Sequence, residues 1–367
     1  MLTGLPPAGK ETVVLGMSGG VDSAVAAALL KRAGYHVIGV TLIFWKEDQD
    51  EQKRWQDRSC CKIGLARHVA KLLDIPHETI DSQDLFREQI IDDFCETYLK
   101  GETPNPCVRC NERMKFGQLY AIAADKKARF IATGHYARTQ YQEKGKQWSL
   151  IRGADRRKDQ TYFLYRLTQA QLSMSLFPLG GMSKDAVYRE ALTLGLPYEE
   201  VLESQEVCFV TQKDYRVFLK EHRPEALAPG PMMTEEGQVI GSHHGIAFYT
   251  IGQRRGLGVS SGQRAYVTHI DPQTQTVVIG PRESLSQQAL TAHHIVWGGR
   301  GDLKTPMRVM AQIRYRTPTT PAMLIPEARD RVRLEFDQPQ QGVAPGQSVV
   351  FYHEDEILGG GMIAPQS

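Results

Sequence analysis

The spacing of apolar and polar residues changes character near residue 215. Before that point, short β-branched apolar runs alternate with helical patterns. Thr12–Gly16 reads as a buried strand. After a glycine-rich turn, Asp22–Ala33 is rich in alanine and leucine and reads as a helix stopped by Gly34. His36–Phe44 is a second apolar strand. Strand, loop, helix and strand make a βαβ unit, which implies a parallel sheet. The alternation predicts further helices at Ile63–Leu73, Asp84–Leu99, Asn111–Lys126 and Ser183–Leu194, and strands at Glu78–Asp81 and Arg129–Thr133.

After a last helical stretch, Tyr215–His222, come Pro224, Pro229 and Pro231, and helical periodicity fades. Short strands are expected at Ala247–Ile251, Ala265–Ile270 and Thr276–Ile279, then at Met307–Arg314, Arg331–Phe336 and Ser348–His353. Strands this short and closely spaced suggest small barrels or sandwiches. Gly280-Pro281 separates the two sets. The pattern therefore predicts an α/β domain with a Rossmann-like parallel sheet at 1–213, a small mainly β domain at 214–281, and a β-barrel at 282–367.

Length supports that division, since 367 residues are long for one domain. Charge adds little: 44 basic and 42 acidic residues leave a formal net charge of +2, so any nucleic-acid contact must rest on local clusters. Residues 1–11 contain no apolar signal-peptide core, and the longest apolar run, Ala24–Leu30, is too short to span a bilayer. A cytosolic, reducing location away from membranes is expected. The six cysteines, at 60, 61, 95, 107, 110 and 208, then read as metal ligands or reactive thiols rather than a disulfide framework. Cys95 reads as a small buried hydrophobe.

Gly16-Met17-Ser18-Gly19-Gly20-Val21-Asp22-Ser23 follows a strand and opens a helix. Glycines let backbone N–H groups approach an anion, and the helix start supplies unpaired donors. Asp22 is at odds with phosphate unless it faces Mg²⁺. The plain alternative is a strand-to-helix turn capped by Asp22 and Ser23. The segment lacks the Gly-Lys-Ser/Thr of the common nucleotide P-loop and the three-glycine dinucleotide fingerprint.

Thr103–Asn111 carries two prolines and two cysteines at C-x-x-C spacing, Cys107 and Cys110. Cys110 lies beside the expected helix start at Asn111, which favours a thiolate. Ser204–Phe209 brings in Cys208. Structural zinc would want a fourth ligand. The other readings are a sulfur-handling pair and an iron–sulfur cluster on Cys107, Cys110 and Cys208.

The Ser-Gly-Gly-x-Asp-Ser loop resembles that of the PP-loop ATP pyrophosphatases, and nearly the whole chain resembles their bacterial tRNA 2-thiouridylase family. The resemblance runs through Gly16–Ser23, Thr103–Asn111, Ala132–Tyr136, Lys158–Leu164, Val207–Phe209, Thr250–Gly258 and Pro345–Tyr352. It implies that ATP adenylates the C2 oxygen of the wobble uridine U34, and that a persulfide on Cys208, loaded by a sulfur-carrier protein or cysteine desulfurase, supplies sulfur. Cys110 then frees sulfide from the persulfide, or forms a disulfide with Cys208 as sulfur is delivered. Beyond the loop, Leu42 and Gly134 match positions around the adenine. His135, Lys158, Asp159, Gln160, Arg314, Tyr315 and Gln347 match tRNA contacts, with Asn105, Pro106 and Cys107 next to the target base. The implied substrates are tRNAs for Lys, Glu and Gln, and the implied cofactor is ATP with Mg²⁺. Many members carry aspartate where this chain has Cys107, so an acid–base role for that aspartate does not transfer. The extra thiol strengthens the cluster alternative, although persulfide chemistry is favoured.

Between Arg300 and Arg333 there are eight basic residues against three acidic ones; Arg152, Arg156, Arg157 and Lys158 form a second cluster, and Arg254-Arg255 a third. These suit phosphate contacts, and Tyr315 suits stacking on a base. Arg329, Arg331 and Arg333 read instead as a solvated strand face, and the pairs His243-His244 and His293-His294 as structural or surface. Cys60-Cys61 fits none of these roles. Two other functions compete. A small-molecule amide ligase would need the loop but neither the distant cysteines nor a tRNA-binding tail, and a non-catalytic nucleic-acid binder would not need the loop.

Overall fold

Five short strands form one parallel sheet in the computed structural model, which describes residues 10–45, 62–195, 207–210, 214–258, 264–299, 301–328 and 330–365. Cys60, Cys61, Ser204, Gln205, Glu206, Arg300 and Arg329 lie outside the described residues. The chain runs β1 (Thr12–Gly16), α1 (Val21–Arg32), β2 (His36–Ile43), α2 (Ile63–Leu72) and β3 (His77–Asp81). Next come α3 (Gln83–Phe86), a π segment Arg87–Ile91 and α4 (Asp92–Leu99). Then follow α5 (Pro106–Arg109), a π segment Cys110–Lys115, α6 (Phe116–Asp125) and β4 (Phe130–Ala132). A hairpin of β5 (Ala137–Gln142) and β6 (Gln147–Arg152) precedes α7 (Gln169–Met174), β7 (Ser175–Leu176) and α8 (Lys184–Thr193).

The sheet order is β3-β2-β1-β4-β7, with every pairing parallel. β2 lies on one side of β1 and β4 on the other, so the strand order reverses at β1. In open α/β sheets such a switch point leaves a crevice at the carboxyl ends of the strands. The turns after β1 and β4 both open there.

One helix begins earlier than the hydrophobic pattern predicts. The helix expected from Asn111 starts at Pro106, with Asn105 as N-cap. Proline lacks the N–H that a first-turn residue cannot use, so it fits N1. Cys110 therefore sits a full turn inside the helix, not at its start.

The middle of the chain holds α9 (Tyr215–His222), β8 (Gly230–Thr234), β9 (Val239–His243), β10 (Tyr266–Asp271) and β11 (Thr276–Gly280). The four strands form a sheet in the order β10-β11-β8-β9. The strand expected at Ala247–Ile251 is not formed; Ile246–Phe248 is a 3₁₀ turn with all three residues buried. The chain turns there at Gly245, where φ is +157° and a Cβ would lie 1.9 Å from the Ala226 carbonyl oxygen.

The last unit has β12 (Ser286–Trp297), β13 (Met307–Gln312), β14 (Thr320–Ala328), β15 (Arg331–Gln341), β16 (Ser348–His353) and β17 (Glu356–Ile363). They pair in the order β12-β15-β14-β13-β16-β17, and β12 pairs with β17 to close a six-stranded antiparallel barrel. On β15, Val332, Leu334 and Phe336 point inward while Arg331, Arg333 and Glu335 point out, the period-two pattern of a one-sided strand. The β5–β6 hairpin, absent from the sequence reading, adds to this sheet through β6 and β17. One buried cluster runs from Val14 and Phe86 through Phe209 and Phe218 to Val277 and Tyr352, so the parts share packing. Among the described residues, no helix is long and apolar enough to cross a membrane.

Candidate active site

The glycine-rich loop leaves β1 at the switch point. Gly19 has φ +76°, and a Cβ there would lie 2.3 Å from the Lys62 carbonyl oxygen, so only glycine fits. Lys62 donates its backbone N–H to Ser18 at 2.9 Å, which fastens the start of α2 to the loop. Met17 donates to Val40 at 2.8 Å, and its carbonyl accepts from the Thr41 hydroxyl at 2.7 Å. The N-cap of α1 is Gly20, with no side-chain cap bond. The capping alternative raised by the sequence is therefore not formed: the Ser23 hydroxyl bonds back to Gly20 at 2.9 Å, and Asp22 reaches elsewhere. The first-turn N–H groups of α1 have no side-chain competitor for an anion.

Asp22 is engaged by protein groups. Lys184 donates to both its oxygens, at 2.8 and 2.9 Å, and the Tyr136 phenol donates to Oδ1 at 2.8 Å. The expectation that Asp22 faces Mg²⁺ thus meets a carboxylate already neutralised by a buried ammonium. A resident metal does not fit there. Lys184 escaped the sequence reading because Ser183-Lys184 looked only like a helix start. Gly134, after β4, closes on the same point: a Cβ would lie 2.9 Å from the Asp22 carbonyl carbon and the Ser23 nitrogen. Leu42 is buried on β2.

From Gly134 the site continues toward the thiols. His135 is buried, its Nδ1 2.8 Å from the Thr133 hydroxyl, and its ring lies 5.9 Å from that of Phe116. Burial, with the Lys115 ammonium nearby, holds its imidazole well below the usual histidine range and therefore neutral. Lys115 also faces Cys107 and Cys110. It is a second residue that the sequence reading missed, brought to this face by the π segment.

Cys107, Cys110 and Cys208 are free thiols close enough to influence one another. Cys107 is solvent-exposed, and desolvation by the surrounding protein pushes its thiol up to about 11. Cys110 is buried, and burial pushes it up to about 12 despite Lys115, which acts in the opposite sense. The thiolate expected at Cys110 from a helix N-terminus is therefore overturned, because the helix begins four residues earlier. Cys208 is half-buried and is anchored by Phe209, whose ring packs on Phe86, Phe94 and Phe218. Cys95 is fully buried, as its sequence context suggests. Among the described residues no group of three His, Cys, Asp or Glu is placed to hold a metal ion.

The barrel holds the turn that carries these cysteines. Gln347 Nε2 donates to the carbonyls of Thr103 and Pro104, and the Thr103 N–H donates to Pro345 at 2.7 Å. Asn105 Nδ2 lies 3.4 Å from the Tyr162 hydroxyl, which donates to the Ser348 carbonyl at 2.8 Å. Pro106 is buried at the helix start. Lys158 is half-buried. Asp159 is spent internally, accepting from Arg152 Nε, Gly153 N–H and Thr161. Gln160 accepts from the Tyr136 N–H at 3.0 Å. Arg314 is exposed and donates to the Gly342 carbonyl at 2.8 Å. The Tyr315 ring packs on Phe163, with centroids 4.3 Å apart.

The basic clusters are partly neutralised. Arg152 pairs with Asp159, Arg156 with Asp355, and Arg157 with Asp155. Arg331 and Arg333 pair with Glu327 and Glu335. Arg254 and Arg255 are exposed. His243 is structural: Nδ1 accepts from the Gly245 N–H and Nε2 donates to the Gln275 carbonyl.

A family model described as the tRNA methyl transferase HUP domain matches residues 11–212. A tRNA methyl transferase PRC-barrel domain matches 216–281, and an aminomethyltransferase beta-barrel domain matches 287–363. The chain is 47% identical over 356 residues to the tRNA-specific 2-thiouridylase MnmA of Moorella thermoacetica, covering 95% of this chain and 98% of that one. It is 43% identical over 357 residues to the protein of the same name from Pelotomaculum thermopropionicum, covering 96% and 97%. With that of Heliobacterium modesticaldum it shares 45% identity over 359 residues, covering 96% and 92%.

Proposed function

This chain belongs to the tRNA-specific 2-thiouridylase family, and from that membership we propose that it replaces the C2 oxygen of U34 in tRNA with sulfur at the expense of ATP. The family models are worded for methyl transfer, but the full-length relatives are named for thiolation. The observation that carries the reading is the grouping of Cys107, Cys110 and Cys208 beside a phosphate loop at the switch point of a parallel sheet.

ATP, with its Mg²⁺, lies along Gly16–Ser23, with Leu42 and Gly134 about the adenine. The uridine O2 attacks the α-phosphorus, and pyrophosphate leaves. The backbone donors at the start of α1 stabilise the charge that develops on the phosphates. Cys208 carries a persulfide loaded by a sulfur-carrier protein or cysteine desulfurase. Its terminal sulfur attacks C2, and AMP leaves with the former O2. Cys110 then attacks the Cys208 sulfur, releasing 2-thiouridine and forming a Cys110–Cys208 disulfide that an external thiol reduces. Burial keeps the Cys110 thiol protonated and slow to react with adventitious oxidants, and the charge of the Lys115 ammonium favours the thiolate once the proton is lost.

In this reading the domains are 1–213, 214–281 and 282–367, and the last contacts tRNA. His135, Lys158, Asp159, Gln160, Arg314, Tyr315 and Gln347 face the tRNA, and Asn105, Pro106 and Cys107 flank the target base. The substrates are the tRNAs for Lys, Glu and Gln. Cys208→Ser tests the scheme: thiolation of tRNA disappears while pyrophosphate release persists. Thiolation that survives this change would remove the persulfide from Cys208.

A further inference from the structure

Two separate routes tie Asp22 of the phosphate loop to the loop that carries Lys158, Asp159 and Gln160. The first runs through Tyr136. Its phenol donates to Asp22, its N–H donates to Gln160 Oε1 at 3.0 Å, and its carbonyl accepts from the Gln160 N–H at 3.1 Å. The second runs through Lys184. Its ammonium holds both Asp22 oxygens, and its backbone N–H donates to Asp155 Oδ2 at 3.1 Å. Asp155 in turn accepts from the Arg157 N–H at its other oxygen, and from the Lys158 N–H at its carbonyl, at 3.1 and 3.0 Å. Tyr136, Lys184 and Asp155 are all buried.

A buried ammonium–carboxylate pair contributes little net stability over apolar packing of the same volume. Its value lies in fixing geometry. The Lys184 ammonium lies at the first turn of α1, where a triphosphate would add negative charge. A bound triphosphate competes with Asp22 for this ammonium and leaves the Tyr136 phenol as the other holder of that carboxylate. A phosphate held at Lys158 steadies Gln160, and Gln160 fixes both backbone groups of Tyr136.

We propose that Tyr136 and Lys184 are positioning residues that couple tRNA docking on the loop at 153–160 to ATP binding in the phosphate loop. The proposal rests on the reading above that Gly16–Ser23 takes ATP and that the loop at 153–160 touches tRNA. Coupling of this kind is reciprocal, so each ligand changes the affinity of the other by the same factor.

The test is calorimetric titration of the full chain with an ATP analogue that has a methylene bridge between the α and β phosphates, with and without saturating unmodified substrate tRNA. The wild type is expected to show a change in analogue affinity of about fivefold or more on adding tRNA. That ratio is expected to fall toward one in Tyr136→Phe, which keeps the ring and loses the bond to Asp22, with the Lys184 route carrying what coupling remains. Gln160→Met breaks the same route at its far end and reads the same quantity if the first variant is poorly folded. A wild-type ratio of one would overturn the coupling while leaving ATP and tRNA binding, and so the proposed function, in place. A wild-type ratio that persists undiminished in both variants would also overturn it. Failure of the wild type to bind the analogue at all would instead sink the reading on which the proposal rests.

Discussion

Gln347 holds the turn that leads to Cys107, because its Nε2 donates to the carbonyls of Thr103 at 3.1 Å and Pro104 at 2.8 Å. The two partners lie more than two hundred residues apart in sequence, so the barrel acts as a clamp on the catalytic half. Next to this clamp, the Thr103 N–H donates to Pro345, and Gly346 takes φ +84° with its Cα facing the Thr103 backbone. Gln347, proposed above as a tRNA contact, therefore also positions the cysteine turn.

Gln347→Ala is expected to cost about 1–2 kcal/mol of stability, from two side-chain hydrogen bonds worth about 1 kcal/mol each. It should also raise the hydrogen-exchange rate of the Thr103 amide and lower kcat/KM for tRNA about tenfold. Weaker tRNA binding with unchanged exchange at Thr103 would make Gln347 a tRNA contact only, and not a clamp.

Most of this layout was legible in the chain because the buried strands are continuous apolar runs and the loop has the right neighbours. Val13, Val14 and Leu15 are fully buried where their pattern predicts a strand. What escaped were features set by distant contacts. The first strand of the β5–β6 hairpin is mostly polar, and the hairpin joins a sheet only through the distant pairing of β6 with β17 of the barrel. The early helix start at Pro106 was hidden by a proline pair that looked like a loop. Lys184 has no local signal at all, since its partner Asp22 is 162 residues away. The missed residues are thus those whose role is created by folding rather than by spacing.

The glycines of the loop are not interchangeable with alanine. At Gly19 a methyl group would meet the Lys62 carbonyl oxygen at 2.3 Å in a left-handed backbone region, and backbone cannot yield as a side chain can. At Gly134 it would meet the Asp22 and Ser23 backbone at 2.9 Å. Each alanine variant should weaken ATP binding at least about tenfold, roughly 1.4 kcal/mol or more, by equilibrium titration. Gly64, on α2 with nothing within 4 Å of an added Cβ, is the control. Gly64→Ala should bind ATP normally and gain up to about 1 kcal/mol of stability. Normal ATP binding by Gly19→Ala would mean that the loop is not the nucleotide site.

The thiols should differ in reactivity according to their exposure. Cys107 is exposed and should be alkylated first by iodoacetamide at pH 8; Cys110, buried with its thiol near 12, should lag well behind. Cys95, fully buried and pushed to about 11, should react last. Peptide mass spectrometry against time gives the order. Cys110 should also quicken steeply between about pH 8 and pH 11, since only its thiolate reacts. Equal labelling of Cys110 and Cys107 at neutral pH would restore the thiolate at Cys110 that the position of the helix start argues against.

His135 sets a pH window for stability. Burial holds its folded imidazole well below the ordinary histidine value, with Lys115 adding to the shift. In the unfolded chain it titrates near 6.5. Below that pH the unfolded chain binds a proton that the native chain refuses, so stability is full above about pH 7 and is lost as pH falls. The slope for one such proton is about 1.4 kcal/mol per pH unit. His77, His243 and His293 are shifted in the same direction and add to it. Lowered carboxylates such as Asp155 and Asp214 act in a more acid window, below about pH 4. Urea unfolding between pH 7 and pH 5 should therefore show a shallower loss in His135→Asn, whose amide can still bond the Thr133 hydroxyl, than in the wild type. An unchanged slope would mean that His135 keeps its proton in the native chain. Beside Lys115 it would then offer a second positive charge to phosphate rather than a neutral ring to the base.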